Sequence, residues 1–543
     1  MFSQNLFELT KEQKEAIVRN FMNGESFRVN PLLTLKMISA SSVFGEASYY
    51  RDGKLGTRVK DARLKVYAPL AYYLIYAEEK TTTEIFEESI DAALDYDFTG
   101  TLEWAAECRT RYNMRLNPQI IMVRAALHPK RKSFTEAHPG RFDAIEQMVM
   151  QRADEPASQA AYYLYLHGGK EKMPSLLKRS LAKKLASLGR YQVAKYKNHE
   201  LGMIDTVRIV HANSPVLDEL MQTGTVKAEE GEKTWENLRS EGKGWKEIFY
   251  TADMGHMALL RNLRGVFKEV EDESFALKYC EKLKKGVPGG KQFPFRYYTA
   301  SLAVRSSDCH HQELLLETLE ECIDLAVAAM PQLRGRTMAL SDNSGSAWGT
   351  IPSEYGSVRI AEIDNLSSVI AAARSDEGYV GKFGNRLRIF TVDQKTGILQ
   401  KAMTVSSRAD HDVGGATEGG IWEFFKEAIL KKEHWDNIFI YSDMQAGHGG
   451  LYGTSDQSKE YGDLFGASTT VYGHYINVFD LVMVYRALVN PKVNVYSIQT
   501  AGYINVCVPE NAYRTAILYG WTGKELEYAA ILNRLWDEAD GMA

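Results

Sequence analysis

The first 330 residues repeat apolar side chains at intervals of three and four along most of their length. This spacing is clear at 85–94, at 142–150 and at 314–327. Side chains at these intervals share one face of an α-helix, so the pattern predicts amphipathic helices that each bury one side. The whole chain holds only 14 prolines, which leaves room for many long helices. We therefore expect residues 1–330 to be almost wholly helical.

These predicted helices are grouped by recurrent turn signals rather than by an exact sequence repeat. Helix pairs of about 40 residues would give about seven or eight units over this length, which is the size of a HEAT-like solenoid. Residues 221–244 are rich in Gly, Glu and Lys and contain no clear apolar period. We expect this segment to form an exposed loop.

The period changes from about residue 335, where short apolar strands alternate with amphipathic helices. After a first strand near residue 340, the predicted strands are 386–392, 438–441, 493–498 and 516–519, and the predicted helices are 360–373, 421–432, 478–488 and 525–535. Such alternation predicts a parallel, doubly wound sheet. We therefore predict two domains, a helical-repeat domain over 1–332 and an α/β domain over 333–543. A Gly- and Tyr-rich segment at 444–474 is predicted to be a long loop.

A run of small oxygen-bearing side chains follows the first predicted strand of the α/β region. The apolar stretch 338–340 leads into Asp342, Ser344 and Ser346, with Gly345 inside the turn. A hard divalent cation such as Mg²⁺ takes oxygen ligands in near-octahedral geometry and keeps several of its waters. One carboxylate and two hydroxyls meet this demand and leave room for a carboxylate from a partner. The motif is short and occurs often by chance, so it needs support from elsewhere in the chain.

Two later segments give that support. Thr417 lies in the glycine-rich turn 413–420, and the predicted strand at 438–441 leads into Asp443. In an open α/β sheet, ligands gather outside the carboxyl ends of the strands, so Asp342, Thr417 and Asp443 are expected at one edge. The alternative is three ordinary strand-end turns whose side chains cap helices. The order in which the three segments occur favours a metal site.

This order of motifs resembles the von Willebrand factor A domain and its metal-ion-dependent adhesion site. The resemblance implies that Asp342, Ser344 and Ser346 are ligands or near-ligands of a divalent cation, with Mg²⁺ as the expected metal. It also implies that Thr417 is the fourth position and that Asp443 acts through a water molecule.

Composition limits the class of protein and its compartment. At 543 residues the chain is too long for one core, and 45% apolar and 25% charged residues are ordinary for a globular protein. The five cysteines are scattered, without metal-binding spacing, which favours a reducing compartment. The first residues lack a basic segment followed by a long apolar run, and no apolar stretch reaches membrane-spanning length. We therefore expect a cytoplasmic protein that does not associate with membranes.

The net charge of −5 is distributed unevenly along the chain. Residues 1–340 hold 48 Lys and Arg against 45 Asp and Glu, whereas residues 341–543 hold 17 against 25. Within the first part, residues 170–197 carry nine basic side chains and one acid, Glu171. This basic run is either a solvated helix face or a surface that neutralises phosphates.

Several segments of the helical region resemble the TROVE module of the Ro autoantigen family and its bacterial relatives. They are 35–50, 178–197, 205–215, 258–263 and 293–296, and they occur in the family's order. Each motif is weak alone, but their ordered sum is specific, and the α/β region follows where the family has its A domain. By this resemblance, the chain is identified as a bacterial-type member of the Ro family.

Three positions depart from the family pattern. Met203 stands where the family has a histidine, which in animal relatives belongs to a surface that contacts Y RNA. Glu418 replaces an aspartate of the glycine-rich turn, and Asn343 stands where the family often has valine.

The resemblance implies a ring of HEAT-like helical repeats closed by a von Willebrand factor A-like domain. It implies binding of noncoding RNA, with single-stranded 3′ ends of misfolded RNA in a basic central hole and Y-like RNA on the outer surface. It further implies a monomer that acts in RNA quality control or stress response, with an exoribonuclease or another protein as a partner of the A domain.

The candidate RNA-binding residues are basic side chains from the run and from the matching segments. They are Lys170, Lys172, Lys178, Arg179, Lys183, Lys184, Arg190, Lys195, Lys197, Arg208, His211 and Arg261. The members between 178 and 190 cannot all share one helical face, so some are expected to point elsewhere. Tyr162, Tyr163 and Tyr165 lie just upstream and could stack on unpaired bases, but core packing is the favoured reading.

Three functions compete on this evidence. The first is an RNA-binding scaffold of the Ro type, and the second is a metal-dependent protein–protein adaptor that does not bind RNA. The third is an enzyme such as a nuclease, which for two-metal hydrolysis needs clustered carboxylates. Only Asp342 and Asp443 can be placed together from the sequence, and the neighbouring ligands are hydroxyls. We therefore expect a binding protein and no catalytic residues.

Overall fold

The computed structural model describes most of the chain at residue level. The described residues are 9–19, 25–40, 82–167, 173–196, 201–227, 234–348, 358–393, 397–409, 412–415, 418–443, 478–501 and 505–541. The candidate residues Lys170, Lys172, Lys197 and Thr417 lie outside these ranges, as does the predicted loop at 444–474.

Helices dominate the described residues as far as Ala328. They are α1 (Lys11–Glu15), α2 (Pro31–Ala40), α3 (Thr82–Tyr96), α4 (Phe98–Thr110), α5 (Asn117–Leu127), α6 (Arg131–Ala137), α7 (Arg141–Val149), α8 (Glu155–His167), α9 (Ser175–Ala186), α10 (Arg190–Tyr196), α11 (Met203–Val210), α12 (Pro215–Thr223), α13 (Trp235–Ser240), α14 (Trp245–Thr251), α15 (His256–Glu269), α16 (Glu273–Lys285), α17 (Val287–Gly290), α18 (Pro294–Arg305) and α19 (Gln312–Ala328). Their boundaries follow ordinary capping chemistry. Asp97, for example, accepts the Gly100 N–H at 2.9 Å at the start of α4, and Ser214 precedes Pro215 at the start of α12.

The rest of the described chain builds an α/β unit around a six-stranded sheet. Its helices are α20 (Gly345–Trp348), α21 (Ile360–Ala373), α22 (Ile398–Ser406), α23 (Glu418–Leu430), α24 (Val478–Leu488) and α25 (Lys524–Ala539). The strands of the whole chain are β1 (Ile17–Arg19), β2 (Glu25–Arg28), β3 (Leu333–Asp342), β4 (Ser375–Phe383), β5 (Leu387–Val392), β6 (Asn437–Ser442), β7 (Asn494–Gln499), β8 (Asn505–Val506) and β9 (Thr515–Tyr519).

The sheet has the strand order β5-β4-β3-β6-β7-β9. All neighbours are parallel except β4 and β5, which pair antiparallel at one edge. Every residue of β6 and of β7 is buried, as expected of central strands covered by helices on both faces. The predicted doubly wound sheet is therefore confirmed, except that the strand predicted at 386–392 is an antiparallel edge and β4 was not predicted.

Each face of this sheet shares a hydrophobic core with one part of the helical region. One core joins helices before residue 227 to the face that carries Met338, Leu340 and Ile440. The other joins helices after residue 234 to the opposite face, with Ala339, Phe439 and Tyr441. The helical region is therefore packed onto the sheet from both sides.

Both ends of the helical region dock on the α/β unit, which closes a ring. At the late end, the Glu320 carboxylate accepts the backbone N–H groups of Leu399 at 2.6 Å and Gln400 at 3.0 Å. At the early end, the Trp104 ring packs edge-on against Tyr519 with centroids 5.4 Å apart. Two parts of the chain that are distant in sequence thus meet across the same sheet.

The early end also contributes two strands, which the expectation of an almost wholly helical region did not include. β1 pairs antiparallel with β2, and β2 pairs with β8 of the α/β unit, with Phe27 opposite Val506. The buried Phe27 ring lies edge-on to Phe479, with centroids 6.2 Å apart. Pairing with a strand almost 480 positions away leaves no local periodic signal, which explains why the helical expectation was wrong here.

The segment predicted as an exposed loop at 221–244 is only partly a loop. α12 extends to Thr223, and α13 is capped by Thr234, whose hydroxyl accepts the Asn237 N–H. Trp235 stacks on Trp245 with ring centroids 6.1 Å apart, and this contact anchors α13 to α14. The Trp235–Trp245 contact therefore stabilises a helix in a segment whose composition is typical of loops.

A buried carboxylate in the helical region gives a pH-dependent stability. Glu146 on α7 is fully buried, and burial raises the pKa of its carboxyl to about 8, although the nearby Gln159 amide acts in the opposite direction. Between the ordinary carboxyl pKa and about pH 8, Glu146 is therefore protonated in the folded state and ionised in the unfolded state. The free energy of unfolding should fall as pH rises from about 5 to 8, by at most about 1 kcal/mol per pH unit.

We predict that Glu146→Gln removes most of this pH dependence, because the amide is neutral throughout. The measurement is the midpoint of chemical denaturation between pH 5.5 and 8.5 for both proteins. Glu136→Gln, at an exposed carboxylate one helix earlier, is the matched control and should keep the wild-type slope. An unchanged slope in Glu146→Gln would show that another group causes the pH dependence.

Candidate functional site

Asp342 and Asp443 lie at the carboxyl ends of neighbouring parallel strands. β3 ends on Asp342, and β6 ends on Ser442, one residue before Asp443. Both carboxylates are almost fully buried, with 0% and 1% exposure. Asp342 Oδ1 accepts the Ser344 N–H at 2.9 Å, and Oδ2 accepts the Ser442 hydroxyl at 2.6 Å. The structure therefore places these two residues at one sheet edge, as the sequence predicted.

The two serines complete a compact turn beside Asp342. Ser344 is buried and Ser346 is half-buried, and their hydroxyl oxygens lie 3.0 Å apart. The Gly345 N–H donates to the Gly415 carbonyl at 2.8 Å, so the glycine-rich turn lies against this motif. Two segments that are about 70 residues apart in sequence are thus held together, and they are segments from which the metal site was predicted.

Asn343, a departure from the family pattern, forms part of a buried amide network. Its side chain and that of Asn365 on α21 bond reciprocally, with N–O distances of 2.8 and 3.1 Å. Asn365 also accepts the Ser341 hydroxyl at 2.7 Å, and the Trp348 ring N–H donates to Asn343 at 3.1 Å. Because these groups are buried and paired, they fix α21 against the Asp342 turn.

Asp364, the residue before Asn365, was missed from the sequence. It is fully buried, and neither carboxylate oxygen accepts a hydrogen bond of ordinary geometry from the described residues. Burial raises its pKa well above the usual range, and the charges of Asp342 and Asp443 raise it further, while Thr500 acts in the opposite direction. The available signal was an Asp within the mostly apolar helix predicted at 360–373.

Three carboxylates therefore approach one another at this edge, where the sequence indicated two. No basic side chain of the described residues forms an ion pair with Asp364. Yet within the described ranges no three His, Cys, Asp or Glu side chains are close enough to hold a metal ion by themselves. A cation here would also need the oxygens of Ser344, Ser346 and water. That all-oxygen donor set suits Mg²⁺ and not a thiolate- or imidazole-binding metal.

The candidate RNA-binding residues are spread over several surfaces. On α9, Arg179 and Lys183 are exposed, while Lys178 and Lys184 are half-buried on other sides of the helix. Lys195 on α10 is exposed, with its ammonium 5.6 Å from the centre of the Tyr196 ring. The expectation that the members between 178 and 190 cannot share one face agrees with this arrangement.

Several of these cations already have acidic partners. Lys183 lies 3.1 Å from Asp143, Arg190 donates two hydrogen bonds to the Glu219 carboxylate, and Arg208 lies 3.4 Å from Asp205. Lys178 and Lys184 form no ion pair with any described residue. Like the exposed Arg179 and Lys195, they keep a charge that is available to a phosphate.

His211 and Arg261 are both exposed but occupy different settings. His211 ends α11 in the left-handed region, with φ of 56°. Arg261 lies on α15, where Arg264 and Lys268 follow at intervals of three and four and are also exposed. These three side chains share one face of the helix, and none is ion-paired with a described residue. The sequence contains this spacing, but only Arg261 was a candidate, because it lies in the segment 258–263 that resembles the TROVE module.

The tyrosines before the basic run belong mainly to the core. Tyr162 and Tyr163 are 1% and 2% exposed, and Tyr162 donates its hydroxyl to Glu87 at 2.9 Å. Only Tyr165 is half-buried. The prediction that these tyrosines pack in the core is therefore confirmed for Tyr162 and Tyr163.

The helical ring closed on a von Willebrand factor A-like α/β unit defines the Ro type of fold. No protein-family model matches the chain, and no curated protein matches its sequence. Among solved structures, the chain is similar to the Ro (RSR) protein of Deinococcus radiodurans. The TM-score is 0.56 over 93% of this chain and 100% of that one, at 12% identity, so the likeness concerns the fold.

None of the five cysteines, all of which lie in the described ranges, forms a disulfide, and four of them are buried. Across the described ranges, no helix is both long enough and apolar enough to cross a membrane.

We predict that Mg²⁺ raises the melting temperature of the wild-type protein and that Asp342→Ala abolishes this rise, because the substitution removes the carboxylate at the centre of the turn. The measurement is thermal unfolding with and without Mg²⁺. Asp376→Ala, at an exposed carboxylate near the opposite edge of the sheet, is the control and should respond as wild type does. An equal Mg²⁺ response in Asp342→Ala would exclude Asp342 as a ligand.

Proposed function

We propose that this chain is an RNA-binding scaffold of the Ro type. Its ligands are noncoding RNAs, namely a Y-like RNA and single-stranded 3′ ends of misfolded RNA, and its role is in RNA quality control or stress response. The observation that carries the proposal is the Ro-type fold over 93% of the chain, together with unpaired surface cations on the helical ring.

The charge distribution supports a nucleic acid as the ligand. The excess positive charge lies in residues 1–340, and the α/β region is acidic. Lys178 and Lys184 on α9, and Arg261, Arg264 and Lys268 on α15, form no ion pairs with described residues. Contacts from such side chains to phosphates supply affinity without sequence preference, which suits a protein that binds varied RNAs.

A divalent cation at the Asp342 edge is part of this proposal. Asp342, Ser344, Ser346 and Asp443 supply the oxygen atoms, and Thr417 is the further ligand expected from the sequence. The cation would stabilise the α/β unit or recruit a protein partner such as an exoribonuclease. We propose a cytoplasmic monomer as the acting form.

A metal-dependent protein adaptor without RNA affinity is the second candidate. The observation that favours it is the ion pairing of Lys183, Arg190 and Arg208, which lowers the positive charge that the basic run offers. A hydrolytic enzyme is less well supported. The hydroxyls of Ser344 and Ser346 stand where two-metal hydrolysis needs carboxylates.

We predict that Lys178→Glu combined with Lys184→Glu weakens binding of a structured RNA with a single-stranded 3′ tail. Two lost phosphate contacts should also reduce the slope of log affinity against log salt by about 2. The measurement is a fluorescence titration at several salt concentrations. Lys431→Glu with Lys432→Glu, exposed at the end of α23, makes the same charge change on the α/β unit and should keep the wild-type slope.

Unchanged affinity in the α9 variant at moderate salt would remove α9 from the RNA interface. The same pair of substitutions at Arg261 and Arg264 then tests the α15 face. RNA recovered from natively purified protein decides between the two functions. Enriched noncoding RNAs with single-stranded 3′ ends support the scaffold, whereas a protein that carries no RNA and ignores tailed RNA supports the adaptor.

A further inference from the structure

Asp364 is a buried carboxylate to which the described residues offer few hydrogen bonds and no ion pair. It lies on α21, whose residues from 360 to 372 are almost all buried, and it is 0% exposed. Neither of its oxygens accepts a hydrogen bond of ordinary geometry from the described residues, and no described basic side chain pairs with it. An uncompensated buried carboxylate is strongly unfavourable, so a chain that keeps one at this position needs another source of compensation.

The surroundings of Asp364 connect it to the predicted metal site. The neighbouring residue, Asn365, is bonded reciprocally to Asn343 in the turn that carries Asp342 and Ser344. Thr500, which interacts with Asp364, donates its hydroxyl to the Ser442 carbonyl at 2.9 Å. Ser442 in turn donates its own hydroxyl to Asp342. Asp364 is therefore fixed from two sides against the strand ends that carry Asp342 and Asp443.

We propose that Asp364 is a further, water-mediated member of this cation site. The proposal rests on the divalent cation assigned above to Asp342 and its neighbours. Since no three carboxylates among the described residues are close enough to hold a metal directly, Asp364 would accept hydrogen bonds from water molecules bound to the cation. Metal-bound waters are strong donors, and Asp364 has two acceptor oxygens available for them.

This arrangement has a consequence for the partner of the site. Asp342, Asp364 and Asp443 together bring three carboxylates to one dication. The negative charge of the chain by itself then exceeds the charge of the cation, and no acidic residue from a partner is needed to retain it. Binding of Mg²⁺ should therefore be measurable on the isolated protein.

The competing explanation is that Asp364 is a neutral core residue that contributes nothing to cation binding. Asp364→Asn separates the two, because asparagine keeps the size and removes the charge. If Asp364 receives hydrogen bonds from metal-bound water, the affinity for Mg²⁺ should fall by about 10- to 100-fold, as is usual for groups that support metal ligands indirectly. If Asp364 is only a core residue, the affinity should stay the same.

The experiment measures Mg²⁺ alone, and separately Mn²⁺ alone, by calorimetric titration of the purified full-length protein. Thermal unfolding without metal reports whether each variant is folded. Glu146→Gln makes the same carboxylate-to-amide change at a buried position in the helical region, and it should leave cation affinity unchanged. Asp364→Ser provides a second variant, smaller and uncharged, in case the asparagine disturbs the packing of α21.

The outcomes distinguish this inference from the metal site itself. A folded Asp364→Asn or Asp364→Ser protein with at least tenfold weaker binding, beside an unchanged Glu146→Gln, supports the proposal. Wild-type affinity in both Asp364 variants, while Asp342→Ala loses binding, overturns the role of Asp364 and leaves the metal site in place. A wild-type protein that binds neither cation overturns both.

Discussion

The burial of the six-stranded sheet on both faces is the constraint on which the rest of the structure depends. β6 and β7 are buried along their whole length and leave no face for water, so helices must cover both sides. The α/β helices cover the strands directly, and the two parts of the helical region extend these two cores outward. The ring is therefore closed by hydrophobic packing on one rigid element, with β2–β8 pairing and the Trp104–Tyr519 contact at the junction.

The same rigidity determines what the carboxyl edge of the sheet can do. Parallel pairing of β3 with β6 brings Asp342 and Asp443 to one edge, and the Asn343–Asn365 pair fixes α21 beside them. Groups held in this way cannot move apart to relieve their mutual repulsion. The unfavourable desolvation of these carboxylates has therefore already occurred on folding.

Much of the architecture follows from local periodicity, and the exceptions have specific causes. The helices at 360–373 and 478–488 were predicted with the bounds that the structure shows, since apolar residues recur at helical spacing along both. β4 was missed because Asp376, Glu377 and two glycines interrupt its apolar pattern at a partly exposed position. β1 and β2 were missed because their stability comes from pairing with a remote strand, and α13 because one tryptophan contact outweighs a loop-like composition.

By itself, the sequence determined the order of the elements, the change from helical to α/β architecture, and the position of Asp-x-Ser-x-Ser after a strand. These features depend on neighbours within a few residues, so they are present in the linear pattern. Only the tertiary structure decided that Asp364 joins Asp342 and Asp443, and that Asn365 holds Asn343. It also decided which cations of the basic run are neutralised, since Asp143 and Glu219 come from other helices. Electrostatic interactions depend on distance in space. The partners of a charged side chain are therefore set by packing between elements that are far apart in the sequence.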